Sequence, residues 1–197
     1  MLLSLSNSKK EKDRVSQFAD IIAAMSVSKD IKELLELALN RTLQALSSDR
    51  GSIFLAGDDG KELFLRWAYN INSEEKDIRK KVGEGIVGKV AKDMEPVLVK
   101  DIRYDPRFSF PRIYNNYKTR SFLCVPIATD AKLIGVINVT ENRFNKPYSE
   151  KDLKFLKIVA DHIALKIEKS QLLLEIQGLR KKTEFYHELW SDRIVLY

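Results

Sequence analysis

The side chains in this chain that are able to do chemistry are few, and their spacing narrows what they can do. The one cysteine, Cys124, stands mid-strand between Leu123 and Val125. The thiolate is the reactive form, and no histidine or arginine adjoins Cys124 in sequence to lower its pKa. Its place reads as that of a small, buried, inert hydrophobe. The two histidines, His162 and His187, fall on one long helical run, too far apart to meet within a chain. That argues against a metal centre and against a Ser-His-Asp arrangement. Gly83, Gly85 and Gly88 open a short helical run of Ile86, Val87, Val90 and Ala91. A glycine-rich lead-in to a helix can cradle phosphate on free N–H groups. A dinucleotide fingerprint needs a buried strand ahead of it, however, and Arg79-Lys80-Lys81 is not one; a P-loop needs Lys-Ser/Thr after the last glycine. The spacing therefore reads as a tight turn feeding a packed helix.

Residues 103–120 carry the densest set of functional side chains. Arg103, Arg107, Arg112, Lys118 and Arg120 stand against Asp105, and Tyr104, Phe108, Phe110, Tyr114 and Tyr117 interleave with them. Pro106 and Pro111 prevent a long helix. A connection this long within a compact domain is usually functional or disordered, and its aromatic content argues against disorder. Three readings stay open. Such a segment binds single-stranded nucleic acid by charge and stacking. Alternatively it lids a cavity, where Arg107, Arg112 or Arg120 meets an anionic ligand in a bidentate fork while Phe108 and Tyr114 pack against it. In the third reading the aromatics plug the cavity and the arginines face solvent. Asn138 and Thr140 share a strand face with Ile134 and Val136 and are expected to supply polar contacts from the floor.

The elements that must position these residues follow from periodicity. Lys10 to Met25 reads as a helix with a narrow stripe of Val15, Phe18, Ile22 and Met25. Ser28 is the expected N-cap of a second helix with Ile31, Leu34, Leu35, Ala38, Thr42 and Leu46 on one face, ending near Ser47-Ser48. Residues 51–56 and 62–68 read as strands joined by the turn Gly57-Asp58-Asp59-Gly60. Ser73 is expected to cap a short helix, and Lys76, Arg79, Lys80 and Lys81 read as a solvated basic face. Glu95-Pro96 ends the glycine-led helix, and Val97-Leu98-Val99 reads as a strand. Two further strands flank Asp130-Ala131. Ser149 and Asp152 form a near capping box for a long helix that buries Leu153, Leu156, Ala160, Ile163 and Ile167. A second stripe on that helix, Ile158, Leu165, Leu172, Leu179 and Tyr186, repeats every seven residues, as a dimerising helix requires.

The order of glycine-led helix, Glu95-Pro96-Val97 strand, Cys124-Val125-Pro126-Ile127 strand and Ile134-Gly135-Val136-Ile137-Asn138-Val139 strand, continuing into Tyr148-Ser149-Glu150 and a long helix, resembles the GAF domain family over about residues 29–169. Pro106-Arg107-Phe108 ahead of the Ser121–Ile127 strand is similar to the sensor domains of nitrogen-fixation-type transcriptional activators. The resemblance implies an α+β fold. It has a mainly antiparallel sheet of about six strands, terminal helices packed on one face and a lidded pocket on the other. It also favours the cavity-lid reading of residues 103–120. A bilin-attaching member shows a cysteine followed by histidine in a loop, where this chain has Cys124-Val125-Pro126. The sulfoxide reductases of the family need several cysteines. The motif associated with cyclic-nucleotide binding would fall at Glu141, Asn142, Tyr148, Asp152 and Leu153, of which Asp152 is kept.

The chain has 197 residues, 44% of them hydrophobic, and a net charge of +6. This suits one domain with helical extensions: a dimerisation helix at 1–28, the domain at 29–169 and a coiled-coil-like extension at 170–197. A single cysteine suits a reducing compartment, and no apolar run is long enough for a membrane span or a signal core, so a cytoplasmic location is expected. The expected function is a non-catalytic sensor that binds a small anionic metabolite, forms a homodimer and acts on an output domain or protein. The identity of the ligand and of any cofactor stays open. A nucleic-acid partner is not favoured. A dimerisation scaffold with a filled pocket and a cyclic-nucleotide-binding domain are the alternatives.

Overall fold

The computed structural model describes residues 16–17, 19–28, 30–70, 79–108, 119–130 and 132–191, with side chains in the last helix described as far as Thr183. The part of the expected N-terminal helix up to Val15, Phe18 and the expected helix at Ser73 lie outside them. Residues 19–27 are helical. Ser28 does not cap the next helix; its hydroxyl donates to the Met25 carbonyl at 2.8 Å and closes the preceding turn. The cap of α1 (Ile31–Ala45) is Asp30, whose carboxylate accepts from Glu33 N at 2.7 Å. An aspartate at this place also favours the positive helix end, which a serine does not.

Six strands follow among the described residues: β1 (Ser48–Ala56), β2 (Glu62–Tyr69), β3 (Arg79–Lys81), β4 (Val97–Val99), β5 (Phe122–Ala128) and β6 (Leu133–Asn142). They form one antiparallel sheet in the order β3-β2-β1-β6-β5-β4. The basic run Arg79–Lys81 is exposed, as expected of a solvated face, and it forms the edge strand β3. Helix α2 (Gly85–Asp93) ends on Met94, whose left-handed φ of 57° stops the helix just before Glu95-Pro96. Helix α3 (Glu150–Ser191) is the long one.

The two sheet faces are unlike. On one, α1 lies against β1 so closely that a Cβ on Gly51 would touch the side chains of Leu39 and Leu43. The buried residues of α1 are Leu34, Leu35, Ala38, Leu39, Thr42 and Leu43, so Leu39 and Leu43 join the expected face, while Ile31 is only partly buried and Leu46 is the buried residue that ends the helix. On the other face a second apolar cluster joins Phe54, Phe122, Cys124 and Val136 of the sheet to Ile86, Val90 and Ala91 of α2 and to Ile102 and Phe108. The chain divides into two units, residues 1–164 and 165–197. In the first unit α3 buries Leu156, Ala160 and Ile163, while Ile158 is 45% exposed. In the second unit Leu165, Leu172 and Leu179 are 58%, 52% and 58% exposed.

Candidate ligand site

Strand register builds the floor of the site on the α2 side of the sheet. Directly opposed residues in an antiparallel ladder point the same way. One row across the sheet is Arg50, Thr140, Phe122 and Val99; the next is Ser52, Asn138, Cys124 and Val97; a third contains Phe54, Val136 and Pro126. Val97, Val99, Phe122 and Cys124, with Phe54 and Val136 of the third row, belong to the apolar cluster under α2 and Phe108. The corner between β1 and β6 is polar. There Ser52 is buried and Thr140 is 1% exposed. Asn138 Oδ1 and Thr140 Oγ1 are enclosed and make no hydrogen bond among the described residues. A buried polar group left unpaired costs about 1–3 kcal/mol, so such a corner is usually kept for a partner.

The glycines position the roof. Gly83 and Gly85 adopt φ of 94° and 64°. Gly88 lies against β3, where a Cβ would run into the Lys81 carbonyl oxygen. Two amides that a phosphate cradle would present are already paired, Gly83 N with Gly88 O at 2.7 Å and Glu84 N with Lys81 O at 3.1 Å. The glycines thus make a tight turn and a close helix contact.

The segment after β4 repeats one device twice. Asp101 accepts from Arg103 N at 3.0 Å and grips its guanidinium at 3.0 and 2.6 Å. Asp105 accepts from Arg107 N at 3.1 Å and grips its guanidinium at 2.9 and 2.7 Å. Each arginine also lies over the next aromatic ring, Arg103 over Tyr104 at 5.0 Å and Arg107 over Phe108 at 5.6 Å. The side-chain hydrogen bonds hold both carboxyls below the usual aspartate range. Arg107 further donates to the Leu98 carbonyl at 3.1 Å and so covers the outer edge of β4. A surface groove of about 580 Å³ runs beside it, lined by Leu98, Lys100, Tyr104, Arg107 and Glu150 among others.

The expected site residues therefore fall in different places. Asn138 and Thr140 meet on the floor. Phe108 is 1% exposed and packs edge-on to Phe122, with ring centroids 5.5 Å apart, as a wall of the apolar side. The guanidinium of Arg107 is exposed and engaged by Asp105. Arg120 is exposed, and its carbonyl accepts from Ile102 N at 2.9 Å. Arg112 and Tyr114 lie outside the described residues. Ser52 was missed in the sequence, although alternation from Phe54 was enough to place it on this face. Cys124 is fully buried, and burial pushes its thiol pKa far up. No three His, Cys, Asp or Glu side chains among the described residues are grouped to hold a metal ion.

Beyond the floor, a polar clasp ties the strand ends to α3. The Tyr148 and Ser48 hydroxyls are 2.7 Å apart, and Tyr148 N donates to Ser121 Oγ at 2.9 Å. Ser121 Oγ in turn donates to Val99 O at 2.7 Å, and Thr119 N donates to the buried Glu141 carboxylate at 3.1 Å. Asp152 accepts from Ser149 N and Oγ at 2.8 and 2.7 Å, so its carboxylate serves the helix cap.

The family model described as GAF domain matches residues 30–167. The chain belongs to the GAF domain family. GAF domains are in general regulatory or sensory modules without catalysis of their own. Among curated relatives, the nitrogen fixation protein AnfA of Azotobacter vinelandii is 28% identical over 79% of this chain and 30% of its own length. A Nif-specific regulatory protein of Herbaspirillum seropedicae is 29% identical over 82% of this chain and 33% of its own. The dual 3',5'-cyclic-AMP and -GMP phosphodiesterase 11 of Drosophila melanogaster is 25% identical over 93% of this chain and 14% of its own. This GAF domain chain thus spans a third or less of the length of these relatives. Among solved structures, the GAF domain of a phosphoenolpyruvate-protein phosphotransferase from Coxiella burnetii superposes with a TM-score of 0.71 at 23% identity, covering 81% of this chain and 95% of that one. The free methionine-R-sulfoxide reductase of Neisseria meningitidis gives 0.67 at 18% identity, covering 81% and 91%. At these identities the likeness is one of fold. No helix among the described residues is long and apolar enough to cross a membrane.

Proposed function

We propose that this GAF domain is a sensor that binds a small metabolite over the β1–β6 corner and reports its presence through the terminal helices of a homodimer. The observation that carries the reading is the enclosed, unpaired Asn138 Oδ1 and Thr140 Oγ1 on the same floor. Asn138 Oδ1 accepts a donor from the ligand, and Thr140 Oγ1 can donate or accept. Arg112 and Tyr114, outside the described residues, and Arg120 are proposed as further ligand contacts. Arg107 is set aside as a ligand contact because its fork holds Asp105 and Leu98. The clasp of Thr119, Glu141, Ser121 and Tyr148 supports a route from the lid to the start of α3. The exposed heptad leucines support a dimer read by an output domain or protein, and one relative is named a Nif-specific regulatory protein.

A scaffold with a filled cavity is the second reading, favoured by the Phe108–Phe122 pair that closes the apolar side. The two are separated by a thermal-shift screen of nucleotides and dicarboxylates against wild type, Asn138→Leu and Thr140→Val. A sensor gives a compound that raises the wild-type melting temperature and loses its effect in both variants. A scaffold gives none.

A further inference from the structure

We propose that the floor reads an uncharged amide group on the ligand, a carboxamide, lactam or ureide that carries an N–H beside its C=O, and that Asn138 and Ser52 are the pair that select it. The inference rests on the sensor reading and names the ligand class. Asn138 Oδ1 is enclosed and has no hydrogen-bond partner among the described residues. It is an acceptor, so the group that meets it must bring a donor. A carboxylate or a fully ionised phosphate offers only acceptor oxygens. The Asn138 carboxamide also carries two N–H donors beside that oxygen. Turned end for end, it would enclose Nδ2 instead. A ligand N–H beside a C=O satisfies either setting through two parallel hydrogen bonds, which an acceptor-only anion cannot do.

The surroundings of Asn138 on the floor are neutral as well. Strand register sets Ser52 on one side of it and Cys124 on the other. Cys124 is fully buried, and burial pushes its thiol pKa far up, so it stays an uncharged S–H. Val97 completes that row, and the next row is Phe54, Val136 and Pro126. Neither row contains a charged side chain. An anion seated there would bear a desolvation cost that these neighbours do not offset.

Ser52 adds the second contact. It is 4% exposed and directly opposite Asn138. Opposed side chains on neighbouring strands stand about 4.5–5.5 Å apart at Cβ. A carbonyl held by Asn138 has a second lone pair, and the Ser52 hydroxyl is the neutral donor beside it. The apolar row of Phe54 and Val136 suits a ligand in which the amide ends, or is closed by, a short methylene chain. Thr140 lies two residues along β6, about 7 Å away, and meets a further polar group of the ligand.

The test is an NMR titration of the isotope-labelled full chain with succinamide, succinate, pyrrolidone and N-methylpyrrolidone. Succinate replaces the amide nitrogens of succinamide by oxygen, and N-methylpyrrolidone keeps the carbonyl but blocks the N–H. Wild type, Asn138→Leu, Ser52→Ala and Thr140→Val are compared, with circular dichroism as the check on folding. The side-chain amide signals of Asn138 are assigned by their absence from Asn138→Leu. The expected result is that succinamide or pyrrolidone moves those signals, and that its counterpart without the N–H binds wild type roughly tenfold more weakly, as the loss of one buried hydrogen bond implies. Ser52→Ala should weaken the amide probe by a similar factor. Equal binding of succinamide and succinate, with loss in Thr140→Val, overturns the amide class and leaves the sensor reading standing. Equal binding of pyrrolidone and N-methylpyrrolidone does the same. Unchanged binding of the amide probe to Asn138→Leu and Ser52→Ala overturns the role of the pair. Binding of no probe of either kind overturns both the amide class and the sensor reading.

Discussion

Replacing Thr140 by valine exchanges a hydroxyl for a methyl at nearly constant shape. Thr140 is 1% exposed and its Oγ1 has no hydrogen-bond partner among the described residues. If the hydroxyl is held in reserve for a ligand, the empty protein bears its desolvation, on the order of 1–3 kcal/mol. Thr140→Val removes that cost, and valine suits a strand at least as well as threonine. The expected gain is about 1 kcal/mol, which for a domain of this size raises the melting temperature by roughly 2–4 °C. The same change removes a ligand contact. A compound at one hundred times its dissociation constant stabilises wild type by about 2.7 kcal/mol, and that increment should vanish. Thr42→Val is the control. Thr42 is likewise buried and unpaired among the described residues, but it lies on α1, across the sheet from the floor. It should stabilise the protein and leave the ligand increment intact. Urea and thermal melts of the three proteins, with and without the compound, give all the numbers. If Thr140→Val destabilises the empty protein by more than about 1 kcal/mol, the hydroxyl is a structural partner and the reserved-site reasoning fails.

Three other outcomes follow from the same structure. Leu172→Asp puts a charge on the exposed heptad stripe and should give a monomer in sedimentation at a concentration where wild type is a dimer, with the domain melting temperature unchanged. Gly88→Ala drives a Cβ into the Lys81 carbonyl, which is backbone and cannot step aside, and should cost about 1–3 kcal/mol in a urea melt. Burial is the main cause that raises the Tyr148 pKa above its ordinary value near 10, so the neutral phenol is favoured in the folded state. Its contribution is therefore complete below about pH 10 and is lost as pH rises through the higher folded value; Tyr148→Phe should flatten that alkaline loss, at the expense of about 1 kcal/mol at neutral pH from the lost Tyr148–Ser48 hydrogen bond, with Ser48 Oγ left to donate to the Leu46 carbonyl at 3.4 Å.

Local patterns were legible in the chain wherever one element settled the matter alone. The seven-residue stripe, the glycine turn before α2, the Ser149–Asp152 cap and the buried place of Cys124 are all properties of neighbours in sequence. Ser28 misled because it and Asp30 are both good caps two residues apart, and the choice depends on where α1 docks. The partner of Arg107 was hidden for a related reason. Its charge was visible, but so was Asp105, and only the turn geometry brings that carboxylate into the arginine fork. Arg103 and Asp101 obey the same rule, so the basic excess of this segment is partly neutralised within itself.

The polar corner was harder to find, because no single strand contains it. Alternation placed Asn138 and Thr140 on one face of β6, but β6 says nothing about what stands beside it. Arg50 and Ser52 precede them by a large part of the chain, and lie in a strand whose other face residues, Gly51 and Ile53, meet α1 or the core. Read alone, Arg50 is one more charge near a strand end. The ladder changes its meaning: it puts Arg50 opposite Thr140 and Ser52 opposite Asn138. A one-residue slip of β1 against β6 would exchange Arg50 for Gly51 at that place, and the polar groups would lose their neighbours. Gly51 opposes such a slip, because any side chain in its position would collide with Leu39 and Leu43. The packing of α1 on one face thus fixes which residues meet on the other, and the composition of the site is a consequence of the core behind it.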